Sequence, residues 1–184
     1  SAIGVNFVPS SPRRVDVARA REIARAVRGK TMVVGVVADL DVAAMEALVR
    51  DAELECLQLH GEEPPEALAA LLPHAYKAVR IGGADDVARA RRYGGEHILV
   101  DARVEGALGG SGATFDWSLA FELARERKLT LAGGLRPENV ADAIRAVQPY
   151  CVDVASGVES ARGGGAKDLD RVRAFLASVA GALV

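Results

Sequence analysis

Apolar residues come in short blocks along this chain, and each block is followed by a stretch whose apolar positions recur three and four residues apart. The blocks are Ala2–Val8, Thr31–Val37, Cys56–His60, Tyr76–Ile81, His97–Asp101, Leu129–Ala132 and Cys151–Ala155. They are short and rich in Val, Ile and Leu, which predicts strands. The stretches between them predict helices. Asp16 opens one that runs to about Arg28, with Val17, Ala20, Ala24 and Val27 on one face. Asp41 opens another, carrying Val42, Met45, Leu48 and Val49. Gly61-Glu-Glu-Pro-Pro leads into a third, with Pro65 in its first turn. Further helices are expected over Asp85–Tyr93, Trp117–Arg127 and Asn139–Val147, and from about Asp168 onward.

Strand and helix alternate without exception, which argues for an α/β fold with a parallel sheet. The 184 residues divide into seven such units of roughly 26 residues, with no linker or low-complexity tract, so 1–184 reads as one domain. A doubly wound sheet needs fewer units and a closed barrel needs eight. The expectation is therefore a (β/α)8 TIM barrel with seven βα units visible, its first strand and helix lying before residue 1.

Two strand exits stand out. Leu129-Thr-Leu-Ala ends in Gly133-Gly134, and the run ending at Ala155 continues as Ser156-Gly157. Without side chains in the way, backbone N–H groups at such exits can approach an oxyanion closely. A pair of these exits on the last two strands of a (β/α)8 barrel is where a phosphate is usually held. The segment 102–116 is long for a βα loop, which makes it a functional candidate.

Half the residues are hydrophobic but only 4% are aromatic, so the core is built from Ala, Val and Leu, as suits strands covered on both faces. The net charge of −2 gives no reason to expect nucleic acid or an anionic membrane as partner. Cys56 and Cys151 each begin an apolar run and read as buried small hydrophobes. Metal-ligand spacings are absent and the three histidines are scattered, so no metal is expected. No membrane-length apolar run and no signal-peptide pattern occurs in these residues, and a cytoplasmic location is expected.

Six ordered segments make the chain resemble the phosphoribosylanthranilate isomerase family nearly end to end. They are Gly4–Arg13, Gln58-Leu-His-Gly61, Leu99-Val-Asp101, Gly109–Trp117, Leu131–Val140, and Asp153–Glu159 with Lys167-Asp168. The resemblance implies a (β/α)8 enzyme of tryptophan biosynthesis. It would perform an Amadori rearrangement of a small phosphorylated substrate without a cofactor, as a monomer or homodimer. The family's general base is the cysteine of a Lys-Ile-Cys-Gly motif on its first strand. That motif does not occur here, and Cys56 and Cys151, at strand starts, cannot replace it.

On this resemblance Asp101 is the general acid that protonates the ribose ring oxygen, although an Asp after a strand can also cap the next loop. Arg13 offers a guanidinium fork to the anthranilate carboxylate, a duty Arg14 could share. Gln58 and His60 alternate onto one face of their strand and are expected to bind substrate. Asp153 is expected at the anthranilate amine or a ribose hydroxyl. Gly110 and Gly112, in the long loop, would close with Gly133, Gly134, Ser156 and Gly157 over the phosphate. Phe115 and Trp117 are read as packing under that loop, and Lys167 as a solvated charge. Two other readings compete. One is a phosphate-ligand-binding barrel that lacks the general-base Cys and is catalytically incomplete. The other is a neighbouring phosphosugar barrel such as indole-glycerol-phosphate synthase, disfavoured because Lys77 is the only lysine inside a predicted strand.

Overall fold

The computed structural model describes residues 1–101, 117–161 and 165–182. The chain forms two compact units, Ser1–Ala78 with Arg92–Gly95, and Val79–Arg91 with Glu96–Val184.

The first unit begins with β1 (Ala2–Asn6), α1 (Val17–Val27), β2 (Met32–Val37), α2 (Val42–Ala52), β3 (Cys56–Leu59) and α3 (Pro65–Leu71). β4 (Ala75–Arg80) follows, its last two residues belonging to the second unit. All pairings are parallel, with Ile3 opposite Val33, Gly35 opposite Leu57 and Gln58 opposite Tyr76. The helix starts are written in the side chains. Asp16 accepts a hydrogen bond from the Arg19 amide and Asp41 from the Ala44 amide, each at 2.7 Å, satisfying an amide that has no partner in the first turn. Pro65 supplies the fixed φ of a first helical position, where the missing N–H costs nothing. Ala20, Ala24, Met45, Ala52, Leu68 and Leu71 are the buried helical residues, and Val33, Val34, Val37, Leu57 and Leu59 are buried on the strands; α1 lies against β2 and α2 against β3.

The second unit contains α4 (Ala84–Arg91), β5 (His97–Asp101), α5 (Trp117–Glu126), β6 (Lys128–Ala132), α6 (Val140–Val147), β7 (Cys151–Val152) and α7 (Leu169–Ala182). β5 pairs with β6 from His97–Lys128 to Asp101–Ala132, and β6 with β7 at Thr130–Cys151 and Leu131–Val152. Ile98, Leu99 and Val100 are consecutive and all buried, as are Leu129, Thr130 and Leu131. Consecutive burial means both faces of the strands are covered, so apolar side chains do not alternate with polar ones. α6 buries Val140, Ala143, Ile144 and Val147, a one-sided stripe, with α5 and α7 as its neighbours.

Two expectations are corrected. The last strand ends at Val152, not Ala155; the chain then bends into a single 3₁₀ turn, Ser156–Val158, so Asp153 follows the strand. The cysteines are not core residues: Cys56 is half-buried and Cys151 exposed, because each sits at the open start of its strand.

One charged pair lies inside the first unit. Lys77 on β4 and Glu63 before α3 are 3.0 Å apart, with side chains 4% and 1% exposed. The Lys77 ammonium also donates to the Leu59 and Gly61 carbonyls and lies 5.6 Å from the centre of the Tyr93 ring. Glu63 accepts from the Asp39 amide at 2.8 Å and from the Gly61 amide at 3.1 Å, and Tyr93 donates to the Glu63 carbonyl at 3.0 Å. Removing one partner of such a pair leaves a desolvated charge. Lys77→Met should therefore cost about 3–5 kcal/mol in denaturant unfolding, and Lys77→Met combined with Glu63→Leu should recover part of that loss. A loss under about 1 kcal/mol for the single variant would mean that the pair is not desolvated.

Candidate active site

In the second unit, strand register gathers the expected residues. Asp101 closes β5 directly beside Ala132, the last residue of β6. The next two residues, Gly133 and Gly134, have φ of 94° and 62°, a region that L side chains rarely adopt, so glycine is favoured there. The Asn139 side chain holds this exit from both sides, donating to the Gly134 carbonyl at 3.1 Å and accepting from the Arg136 amide at 2.8 Å. The Asp153 amide donates to the Leu131 carbonyl at 2.8 Å, which keeps Asp153 level with the end of β6 although its own strand has stopped. Ser156 and Gly157 follow within the 3₁₀ turn. A Cβ on Gly157 would run into the Leu135 carbonyl and come within 3.0 Å of the Arg136 Cα, so the exits after β6 and β7 touch backbone to backbone. Asp101, Gly133, Gly134, Asp153, Ser156 and Gly157 thus all lie at the C-terminal ends of adjacent parallel strands or just beyond. Asp101 is half-exposed, but its Oδ1 is shielded from solvent.

In the first unit, Gln58 is buried and its Nε2 lies 2.8 Å from His60 Nδ1. The Tyr76 hydroxyl donates to Gln58 Oε1 at 3.1 Å. With its oxygen turned to the tyrosine, the amide presents its NH₂ group to the ring. The Gln58 amide thus bridges the Tyr76 hydroxyl and the His60 ring. Tyr76 went unrecognised in the sequence; its signal was the register that puts it opposite Gln58. Arg13 is half-buried in the turns between β1 and α1, where its amide donates to the Ser11 hydroxyl at 3.2 Å. Arg14 is exposed.

Gly110, Gly112 and Phe115 lie outside the described residues. Lys167 is not a free solvated charge: it donates to the Ala155 carbonyl at 2.8 Å and pairs with Glu159 at 3.0 Å. Nor is Lys77 the only strand lysine, since Lys128 opens β6; it is tied to Glu96 at 2.7 Å, at the strand start. Burial pushes the Cys56 thiol up to about 11; at Cys151, whose surface is exposed, partial loss of water around the sulfur, then the Asp153 charge, raises the thiol as well. Both shifts oppose thiolate formation, the reverse of what a catalytic cysteine needs.

Successive parallel βα units with glycine exits and a carboxylate at neighbouring strand ends are the build of the (β/α)-barrel class, whose active sites lie at that end of the strands. The comparisons with known proteins narrow this. The sequence profile of the N-(5'phosphoribosyl)anthranilate (PRA) isomerase family matches residues 1–178. The N-(5'-phosphoribosyl)anthranilate isomerase of Myxococcus xanthus is 45% identical over 179 residues, covering 95% of this chain and 84% of the relative. The crystal structure of phosphoribosyl anthranilate isomerase from Thermotoga maritima superposes with a TM-score of 0.86 at 36% identity, covering 98% of this chain and 88% of that one. A crystal structure of phosphoribosyl anthranilate isomerase in complex with reduced 1-(o-carboxyphenylamino)-1-deoxyribulose 5-phosphate does so with a TM-score of 0.84 at 34% identity, covering 98% and 87%. The chain belongs to the phosphoribosylanthranilate isomerase family, and its fold is the (β/α)8 barrel, with seven βα units in these residues.

The thiol shift is open to measurement. Iodoacetamide labelling of Cys56, followed by peptide mass spectrometry, should still be accelerating at pH 10, where a free cysteine has levelled off. Half-maximal labelling near pH 8.5 would contradict the burial argument.

Proposed function

We propose that this chain catalyses the Amadori rearrangement of N-(5-phosphoribosyl)anthranilate to the 1-deoxyribulose 5-phosphate ketoamine. Membership of the isomerase family over residues 1–178 carries the reading, and the Asp101–Ala132 register supports it by bringing a carboxylate to the glycine exits. In the first step Asp101 gives a proton to the ribose ring oxygen. The C1–O bond breaks, its electron pair stays on oxygen as a hydroxyl, and the nitrogen lone pair forms the C1=N bond of a Schiff base. A base then removes the proton from C2, the electrons move to nitrogen through C1, and the resulting enol amine takes up a proton at C1 and releases the proton of its C2 hydroxyl, which gives the ketone. No oxidant or reductant is consumed. Hydride-free isomerisation of this kind needs proton transfer and positioning; Asp101 supplies the acid, and the general-base cysteine motif of the family does not occur in these residues.

The remaining roles follow from chemistry. Arg13 binds the anthranilate carboxylate through its guanidinium fork. Gln58, with its amide held by Tyr76, and His60 beside it bind substrate as hydrogen-bonding groups and do not shuttle protons. Asp153 accepts from the anthranilate amine or a ribose hydroxyl. Backbone N–H groups at Gly133, Gly134, Ser156 and Gly157, joined by Gly110 and Gly112, surround the phosphate. Residues 1–184 act as one barrel domain, in a monomer or a homodimer, on a small phosphorylated substrate in the cytoplasm. Among the described residues no helix is long and apolar enough to cross a membrane.

Asp101→Asn keeps the shape of the side chain and removes the acid. It should lower kcat with phosphoribosylanthranilate by about 10²- to 10⁴-fold while KM changes little. A kcat within a few-fold of the unsubstituted protein would remove Asp101 from the mechanism. Tight binding of the reduced product analogue with no turnover in the unsubstituted protein would favour the binding-barrel reading.

A further inference from the structure

Two cations reach around the exit after β7 and hold its backbone. Lys167 donates to the Ala155 carbonyl at 2.8 Å. Arg171, in the first turn of α7, donates through Nε to the Gly157 carbonyl at 3.0 Å. These carbonyls belong to the two peptides that flank the Ser156-Gly157 pair. Each cation is anchored in turn: Lys167 by Glu159 at 3.0 Å, Arg171 by Glu138 at 3.5 Å on the segment that leads into α6. The returning chain is fastened to the turn as well, by the Asp168 amide on the Val158 carbonyl at 2.9 Å and the Ser160 amide on the Ala166 carbonyl at 2.9 Å.

A trans peptide is planar, with its C=O and N–H pointing in opposite directions. A cation that fixes the Ala155 carbonyl therefore fixes the Ser156 N–H to point away from it, and one that fixes the Gly157 carbonyl does the same for the Val158 N–H. The hydrogen bond is charge-assisted, so it also draws electron density toward the oxygen and makes the opposite N–H a stronger donor. We propose that Lys167 and Arg171 are positioning residues for the substrate phosphate, acting through the Ala155–Ser156 and Gly157–Val158 peptides without touching the phosphate themselves. The proposal rests on the reading of the Ser156-Gly157 exit as part of the phosphate cradle, and it adds the Val158 N–H to that cradle.

Both side chains are about 40% exposed, so replacing them threatens contacts at the turn more than the core. The test uses the intact protein, with inorganic phosphate in calorimetry and phosphoribosylanthranilate in steady-state kinetics. Lys167→Met and Arg171→Met should each raise the Kd for phosphate and the KM by roughly 5- to 30-fold, with kcat within about twofold. Arg171→Lys, which keeps a charge able to reach the Gly157 carbonyl, should recover part of the loss. In the unsubstituted protein, phosphate should shift the Ser156 and Val158 amide protons downfield in NMR, whether or not the variants fold well. Gly157→Ala separates the two claims. If Gly157→Ala weakens phosphate binding while Lys167→Met and Arg171→Met leave it unchanged, the positioning proposal fails and the cradle stands. If Gly157→Ala also leaves the Kd unchanged and neither amide shifts, the phosphate lies elsewhere and both fail. A fall in kcat at constant KM in the two cation variants would equally overturn the proposal.

Discussion

The parallel ladder of β5, β6 and β7 is the constraint on which the candidate chemistry depends. Parallel strands in register end together, so whatever follows them is delivered to one level. Asp101 pairs with Ala132, and the Asp153 amide reaches the Leu131 carbonyl even though β7 has only two residues. A slip of one residue between β5 and β6 would turn Asp101 to the other face of its strand. The buried triplets Ile98-Leu99-Val100 and Leu129-Thr130-Leu131 resist such a slip, because covered strands tolerate no change of register.

The exits themselves are built by backbone economy. Gly133 and Gly134 turn the chain where no other residue turns it easily, and Gly157 lets one exit lie directly on the other. Asn139, Lys167 and Arg171 then fix individual carbonyls, so that the direction of each N–H is decided before any ligand arrives. Pre-set dipoles of this kind cost little to reorganise when an anion binds. The first unit uses a different device for the same end. There the Lys77–Glu63 pair ties together the segments that follow β2 and β3, and the Tyr76 hydroxyl decides which way Gln58 faces.

The helices and strands were legible because apolar spacing and Asp or Pro at helix starts are local signals; Asp16, Asp41 and Pro65 sit where their chemistry requires. The glycine exits and Asp101 were legible for the same reason, each following directly on an apolar run. What stayed hidden depends on partners distant in sequence. Lys167 looked like surface charge because Ala155 and Glu159 come back to it only through the turn. Arg171 and Tyr76 gained their meaning from a carbonyl 14 residues away and a glutamine 18 residues away. The short β7 was overestimated because Asp153-Val-Ala continues the apolar alternation, while only two of its residues find a pairing partner in β6.

A crystal structure with reduced 1-(o-carboxyphenylamino)-1-deoxyribulose 5-phosphate bound tests the account most directly. It predicts the phosphate within hydrogen-bond distance of backbone N–H groups in the Gly133-Gly134 and Ser156-Gly157 exits, and the Asp101 carboxylate facing the oxygen that came from the opened ribose ring. A phosphate held away from both exits, or Asp101 turned from that oxygen, would contradict it.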